Sequence, residues 1–494
     1  MNWYFGDLHC HTNLSYGRGT MERAFEIGRT HLDFCTVTGH AFWPDMPEDL
    51  QHYDPTISLH MGGFAKCRKY WQKYLEVMES YNSSELVTFP SYEWHSNRYG
   101  DYNVLACGAT LELVEARDLR DFESAYSSGQ HLIVPHHIGY TNEHRGIDWD
   151  TYRSSRLTAV IEVYSNHGCS MSEESPFDYY HVMGPRDGTR TMEYGLLQGV
   201  KCGFIASTDS HDGFPGHYSH GRVGVLATGK NREAIWQALV ARRTVALTGA
   251  KIVPAFEING APLGSEIKNS GRRDIRFSLE GNQPFRYVEV VKNGKILRRG
   301  SSLEFDASKS AGTYFVKVEC GWGMKDQIVR WDNYLSIADG SVLGVEACFR
   351  PSVIDTSSNA PPHQITEMTD RTVRWQSCTR GVPDSFVHNP ETMTSGVNAL
   401  VIKVEASDKT SLSFRSNVAD LDCSWLDLQP GSRVRHAAGP GSPAVRIRRP
   451  YPVEMCTVQD EISDLAARDE DFYYLRAAQV DNESIWVTPI WVAR

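Results

Sequence analysis

Gly6-Asp7-Leu8-His9-Cys10-His11-Thr12 closes a short apolar run that begins at Trp3. Side chains alternate along a strand, so His9 and His11 share one face while Cys10 points to the other. Two imidazoles converging on one point form a metal-ligand arrangement. The pattern recurs in kind further along. Phe34-Cys35-Thr36-Val37-Thr38-Gly39-His40 ends an apolar run on His40, and Phe89-Pro90-Ser91-Tyr92-Glu93-Trp94-His95 places Glu93 just past another. Leu132-Ile133-Val134-Pro135-His136-His137 ends on His136, and the run Phe204 to Ser207 leads to Asp209 and His211. Each cluster alone reads as ordinary loop polarity. Together they predict strands that deliver His, Asp or Glu at their C-terminal ends, the rim on which α/β barrels carry active sites.

The segments around these clusters alternate. Strands are expected at Trp3–Leu8, Asp33–Thr38, Leu86–Tyr92, Asn103–Cys107, His131–Pro135, Leu157–Tyr164 and Cys202–Ser207. Helices are expected at Met21–His31, with Thr20 as N-cap, at Phe64–Tyr81 and at Arg232–Arg242. Such alternation predicts an α/β fold with a parallel sheet or barrel over residues 1–250. Beyond Thr248 helical periodicity fades. Pro254–Ile258, Asp274–Leu279, Arg286–Val291, Gly312–Glu319, Tyr473–Gln479 and Ser484–Val492 read as strands, and Asn293-Gly294 as a hairpin turn. Residues 251–494 are therefore expected to form a β-sandwich-like region of one or two modules, with a loop or junction at Pro351–His363.

The chain has 494 residues and a formal net charge of −11, which speaks against a general nucleic-acid binder. No apolar run reaches the length of a membrane helix, no secretory leader pattern precedes the first motif, and the expected location is cytoplasmic. The 11 Cys are expected to be reduced thiols.

His9 and His11, His40, Glu93, His136, and Asp209 with His211 occur in the order of the motifs of the polymerase and histidinol phosphatase (PHP) family, which residues 1–250 resemble. Phe5-Gly6-Asp7-Leu8-His9, Tyr92-Glu93-Trp94, Pro135-His136-His137, Glu162-Val163-Tyr164-Ser165 and Trp486-Val487-Thr488-Pro489-Ile490-Trp491-Val492 are similar to a branch of uncharacterised PHP-like proteins with a C-terminal β domain. Carbamate-cleaving PHP hydrolases are more distantly similar. The resemblance implies a distorted (β/α)7 barrel and a centre of two or three divalent ions. It also implies a metal-dependent hydrolase, for a phosphoester first and otherwise for a sulfate ester, carbamate, carboxylic ester or lactone. A non-catalytic carbohydrate-binding or assembly role is the remaining alternative. Mixed His and carboxylate ligands suit Zn, Mn or Fe.

The chain departs from the family pattern at Tyr16, Gly17 and Gly39, and Asp101 stands where a further ligand is expected. These departures favour two ions over three. His137 and His167 are the candidate general acids, with His144 behind them. Arg18, Arg145 and Arg222 are candidate anion clamps, and Glu162 and Tyr164 candidate pocket linings. The expected substrate is a small or saccharide-derived anion, and the β region offers a surface for homo-oligomerisation.

Overall fold

The computed structural model describes residues 1–47, 54–303, 311–351, 358–381 and 396–494. The helix Met21–His31 starts where Thr20 accepts a hydrogen bond from the Arg23 N–H, carries Glu22 in its first turn, and buries Ala24, Phe25 and Ile27. The second helix, Asp54–Tyr81, begins well before the expected Phe64. Arg232–Val240 closes the helical part of the chain with Asn231 as its N-cap.

The expected (β/α)7 barrel is not present. Strands make up 42% of the chain and helices 17%, and among the described residues the strands fall into separate sheets with no closed ring. Thr38–Phe42, Ser91–Trp94, Asp101–Ala106 and His131–His136 form a four-stranded sheet in which only the first pair is parallel. Val160–Ser165 and Gly203–Ala206 pair in parallel in a second, three-stranded sheet. Asn2–Asp7 lies antiparallel to Arg222–Ala227 in a third. Connection length explains the difference. A parallel neighbour needs a crossover of a dozen or more residues, whereas only His95–Gly100 separates Ser91–Trp94 from Asp101–Ala106, so that pair must turn back on itself.

The largest sheet joins both halves of the chain. Its order runs from Lys295–Gly300 through Phe285–Lys292, Glu470–Gln479, Ser484–Ala493, Thr244–Leu247 and Arg222–Ala227 to Asn2–Asp7, Phe34–Cys35 and Val87–Thr88. The C-terminal strand Ser484–Ala493 thus pairs with Thr244–Leu247 on one side and Glu470–Gln479 on the other. Its Trp486 and Trp491 pack into the same core as Phe25, Trp71 and Tyr92.

The rest of the β region contains a four-stranded, a five-stranded and a six-stranded sheet. Val316, Val318, Trp331, Trp375, Phe414 and Trp425 share one core there. The Asn293-Gly294 turn joins Phe285–Lys292 to Lys295–Gly300, with both residues at positive φ, 51° and 77°, as a type I′ hairpin requires. Of the loop expected at Pro351–His363, residues 352–357 lie outside the described residues. All 11 Cys are buried, and none is in a disulfide. Among the described residues no helix is long and apolar enough to cross a membrane.

Candidate metal centre

The ends of several strands bring their polar side chains to one point. Asp7 anchors the first of them. Its carboxylate accepts from the backbone N–H groups of His9 at 3.1 Å, Thr208 at 3.1 Å and Gly216 at 2.8 Å, and from the Thr208 hydroxyl at 2.6 Å. The Asp209 N–H donates to the His9 carbonyl at 2.8 Å. Two segments 200 residues apart in sequence are thereby held edge to edge, with His9, His11 and Asp209 side by side and buried.

Hydrogen bonds fix the ring tautomers. The His11 Nδ1 donates to the Thr38 carbonyl at 2.8 Å, and the His9 Nδ1 faces Glu162 Oε2 at 3.1 Å. When both rings are neutral, their Nε2 lone pairs face each other at 3.0 Å. That contact is repulsive unless a proton or a cation lies between them. Asp209 Oδ1 is 3.0 Å from the same His11 nitrogen and 3.4 Å from that of His9.

Glu93 occupies the middle. Its Oε2 lies 3.5 Å from His9 Nε2, 3.2 Å from His11 Nε2 and 3.4 Å from His40 Nε2, and its Oε1 lies 3.2 Å from His136 Nε2 and 3.2 Å from His95 Nδ1. Burial alone would raise its pKa, but His95, His40 and His136 around it hold it well below the usual carboxylate range. Burial likewise opposes charge on His9, yet Asp209 and Glu162 outweigh it and hold the imidazole well above its ordinary value. Oε2 of Glu93, Oε1 of Glu162 and Nδ1 of His136 have no hydrogen-bond partner although all three are buried. Buried polar atoms are rarely left so. Bare imidazole nitrogens, crowded carboxylate oxygens and orphaned atoms together form a donor set that fits divalent ions. These buried His, Asp and Glu clusters are compatible with metal binding.

Four ligand-sized groupings surround the His9, His11 and Asp209 set: His11, His40 and His211; His40, Glu93 and His95; Glu93, Asp101, His136 and His137; and His137, His167 and Asp209. All eight residues expected as ligands are therefore brought together. Asp101 is also engaged elsewhere. It pairs with Arg145, accepts from the Ser96 N–H at 3.1 Å, and meets His137 Nε2 at 3.3 Å. Both candidate acids are present: His167 bonds the Tyr140 hydroxyl at 2.7 Å through Nδ1 and meets Asp209 at 3.0 Å through Nε2. His137, Arg145 and Asp209 have positive φ of 32°, 70° and 50°, a strained conformation that clusters at functional sites. His211, with 42% of its side chain exposed, marks the open edge.

The departures at Tyr16 and Gly39 are built into the packing. Tyr16 stacks on His40 at 3.7 Å between ring centroids, in a notch where a Cβ at Gly63 would sit 2.6 Å from its ring. A Cβ at Gly39 would lie 2.7 Å from Cys67 Sγ, so glycine there lets the long helix pack against the strand.

Three expectations about the anion clamps and the pocket lining do not hold. Arg222 is buried away from the cluster, with its guanidinium at the Gly216 carbonyl (3.3 Å) and Glu346 (3.9 Å). Tyr164 donates to the Ser219 carbonyl and packs on Phe177 and Trp486. Arg18 touches the site only through its backbone N–H, which donates to the His211 carbonyl at 2.7 Å, while its side chain is exposed. Packing turns the Arg222 and Tyr164 side chains away from the rim. His144 lies on an exposed turn. His95 was not singled out from the sequence, although it stands two residues after Glu93 and so shares its face by the same parity that joins His9 to His11. Cys10 is buried and directs its Sγ at the Ser210 carbonyl, away from the cluster.

No family model matches the chain. A stretch of 173 residues is 28% identical to an uncharacterized protein of Chlamydia pneumoniae, covering 32% of this chain and 28% of that one. A stretch of 182 residues is 25% identical to an uncharacterized protein of Chlamydia muridarum, covering 33% and 29%. The match thus spans less than a third of the length of these relatives. Among solved structures, a two-domain protein from Bacteroides vulgatus, described as containing a predicted PHP-like metal-dependent phosphoesterase, is similar at a TM-score of 0.30 and 13% identity. It covers 61% of this chain and 83% of its own. At that score the two chains need not share a fold.

Proposed function

We propose that the chain is a metal-dependent hydrolase acting on a small anionic ester, a phosphoester first. The observation that carries this reading is the pair of facing Nε2 atoms of His9 and His11 with Glu93 and Asp209 oxygens beside them, so that His and carboxylate donors converge on one buried point. In this reading His9, His11 and Asp209 would hold one divalent ion, Glu93 and His136 would hold a second, and His40 with His211 would complete a further subsite. Zn, Mn or Fe suits such ligands. Ions held there would lower the pKa of water to near neutrality and offset negative charge that develops on the substrate.

The remaining residues position and exchange protons. Glu162, the Thr38 carbonyl and the Ser15 hydroxyl fix the rings of His9, His11 and His40. Asp101 accepts from His137 Nε2, which leaves His137 Nδ1 without a partner and able to take up or give a proton at the leaving group. His167 is oriented by Tyr140. Arg145 is held over the Trp43 ring, at 5.1 Å, and against Asp101, beside the same cluster. We place this chemistry on residues 1–250, with residues 251–494 as a buttress that supplies the shared sheet.

Elemental analysis of the purified protein, run beside hydrolysis of nitrophenyl phosphate, bis-nitrophenyl phosphate, nitrophenyl sulfate and nitrophenyl acetate, tests the reading. Bound ions, with turnover of a phosphoester that a His9→Ala variant lacks, support it. Metal-loaded protein inert on all four esters would sink it.

A further inference from the structure

A polar cavity of about 360 Å3 lies beside the largest sheet's C-terminal strands, lined by Glu174–Phe177 and by residues of Phe285–Lys292, Lys295–Gly300, Glu470–Gln479 and Ser484–Ala493. Its floor is a cross-strand row. Glu289 sits opposite Arg299 on one side and Arg476 on the other, and Arg476 sits opposite Trp486. Side chains in such a row stand on one face of the sheet. Glu289, with only 4% of its side chain exposed, accepts from Arg476 Nε at 2.6 Å and faces Arg299 Nε at 3.3 Å. Arg286 adds a third guanidinium at the rim, where it donates to the Gln479 carbonyl at 3.3 Å. Two guanidiniums meet one buried carboxylate, and the third, Arg286, is also held by Asn482 Oδ1 beside the exposed Glu174. Each pairing with Glu289 uses the Nε edge, so the outer N–H fork of Arg299 and Arg476 is left for another acceptor. Tyr287, with the Arg299 guanidinium 5.4 Å from its ring centre, adds aromatic surface, and Ser484 adds a short polar group.

We propose that this cavity binds a monosaccharide-sized acid sugar, its carboxylate or phosphate on the guanidiniums and its ring beside Tyr287. Cavities of this size suit ligands of that class, and a planar guanidinium fork recognises carboxylate and phosphate alike. The site is separate from the His and carboxylate cluster and does not depend on metal. It is linked to that cluster through its wall: the Cys169 N–H, two residues past His167, donates to the Phe177 carbonyl at 2.7 Å, and Tyr164, two residues past Glu162, packs on Phe177 and Trp486.

Isothermal titration calorimetry on the full-length, chelator-treated protein tests the site, with D-glucuronate and glucose 6-phosphate as probes and D-glucose as the neutral control. Chelation keeps the probes from binding through ions at the other cluster. Saturable binding of either anion, weakened about tenfold or more in Arg299→Gln and Arg286→Gln, is the expected result. Preference for one anion identifies which acid group the site takes. Both side chains are largely exposed, so these variants should melt with the wild type. Absence of binding by both anions, equal binding of D-glucose, or unchanged binding in both variants overturns the proposal.

Discussion

Among the buried groups of charges in this molecule, two contrast in how far fixed partners close them. In the β region, Asp471 and Arg273 have fully buried side chains and pair directly. Asp471 also accepts from Asn293 Nδ2 at 2.5 Å and from the Ala467 N–H at 2.9 Å, while Arg273 donates to the Tyr473 hydroxyl at 2.7 Å and the Val492 carbonyl at 3.2 Å. In the centre, Glu93 is ringed by His9, His11, His40, His95 and His136, yet one of its oxygens has no hydrogen bond and two of those rings present lone pairs to each other. The first arrangement sets charge against charge, leaves only the Arg273 Nε without an acceptor, and contributes to the fold. The second is not closed by fixed partners: a proton on the facing rings or a cation from outside must lie between them.

The comparison breaks if the two groups respond alike to substitution. Glu93→Gln should abolish metal-dependent turnover, by about a thousandfold or more, since one oriented electrostatic group is commonly worth that much. It should also lower the bound metal on elemental analysis and leave the melting of chelated protein nearly unchanged. Asp471→Ala should do the reverse. It strands the Arg273 charge in the interior and should cost about 3–5 kcal/mol in denaturant unfolding, with the metal content per folded chain preserved. A Glu93→Gln variant that unfolds as readily as Asp471→Ala would place the centre among the structural ion pairs.

Chelation sharpens the same contrast. If the centre needs cations, removing them should lower the unfolding free energy and re-addition should restore it. Saturation at a hundred times the dissociation constant is worth about 2.7 kcal/mol. The expected readout is a melting temperature that rises with added Mn, Zn or Fe in wild type and stays flat in Glu93→Gln. A rise of equal size in both would locate the binding elsewhere.

Much of the centre was legible because it follows from parity along a strand. His9 with His11 and Asp209 with His211 were found by period-two spacing at the end of an apolar run, and their convergence needs only that the run be a strand. Asp7 escaped that logic, since its role is to accept backbone N–H groups from a segment 200 residues away. Arg222 and Tyr164 show the opposite failure: they lie close in sequence to rim residues, yet packing turns them to the Gly216 carbonyl and to Trp486. The barrel was misread because alternating apolar runs were counted while the lengths between them were not. The connection from Trp94 to Asp101 is too short for a parallel crossover. Nor is the pairing of Ser484–Ala493 with Thr244–Leu247 visible locally, as partners so distant in sequence leave no periodic trace.

The histidines extend the comparison to its smallest expected effect. His363, 2% exposed, has both ring nitrogens served by the backbone: Nε2 donates to the Arg350 carbonyl at 2.8 Å, and Nδ1 accepts from the Cys378 N–H at 3.1 Å. A second proton would set an N–H against the Cys378 N–H, and burial pulls the ring's pKa down to about 3. The unfolded chain takes up that proton near pH 6.5, so the unfolded state binds more protons over the range between. Stability from this residue is therefore fully present above about pH 6.5 and is lost as pH falls toward about 3. By pH 5 the loss is about 2 kcal/mol, at about 1.4 kcal/mol for each unit below 6.5. Denaturant unfolding at pH 7 and pH 5 should show that decrement in wild type, and His363→Gln should lose about that much of it. An unchanged decrement would mean that His363 is protonated in the fold, and that ring nitrogens closed by backbone partners do not separate structural histidines from those of the centre.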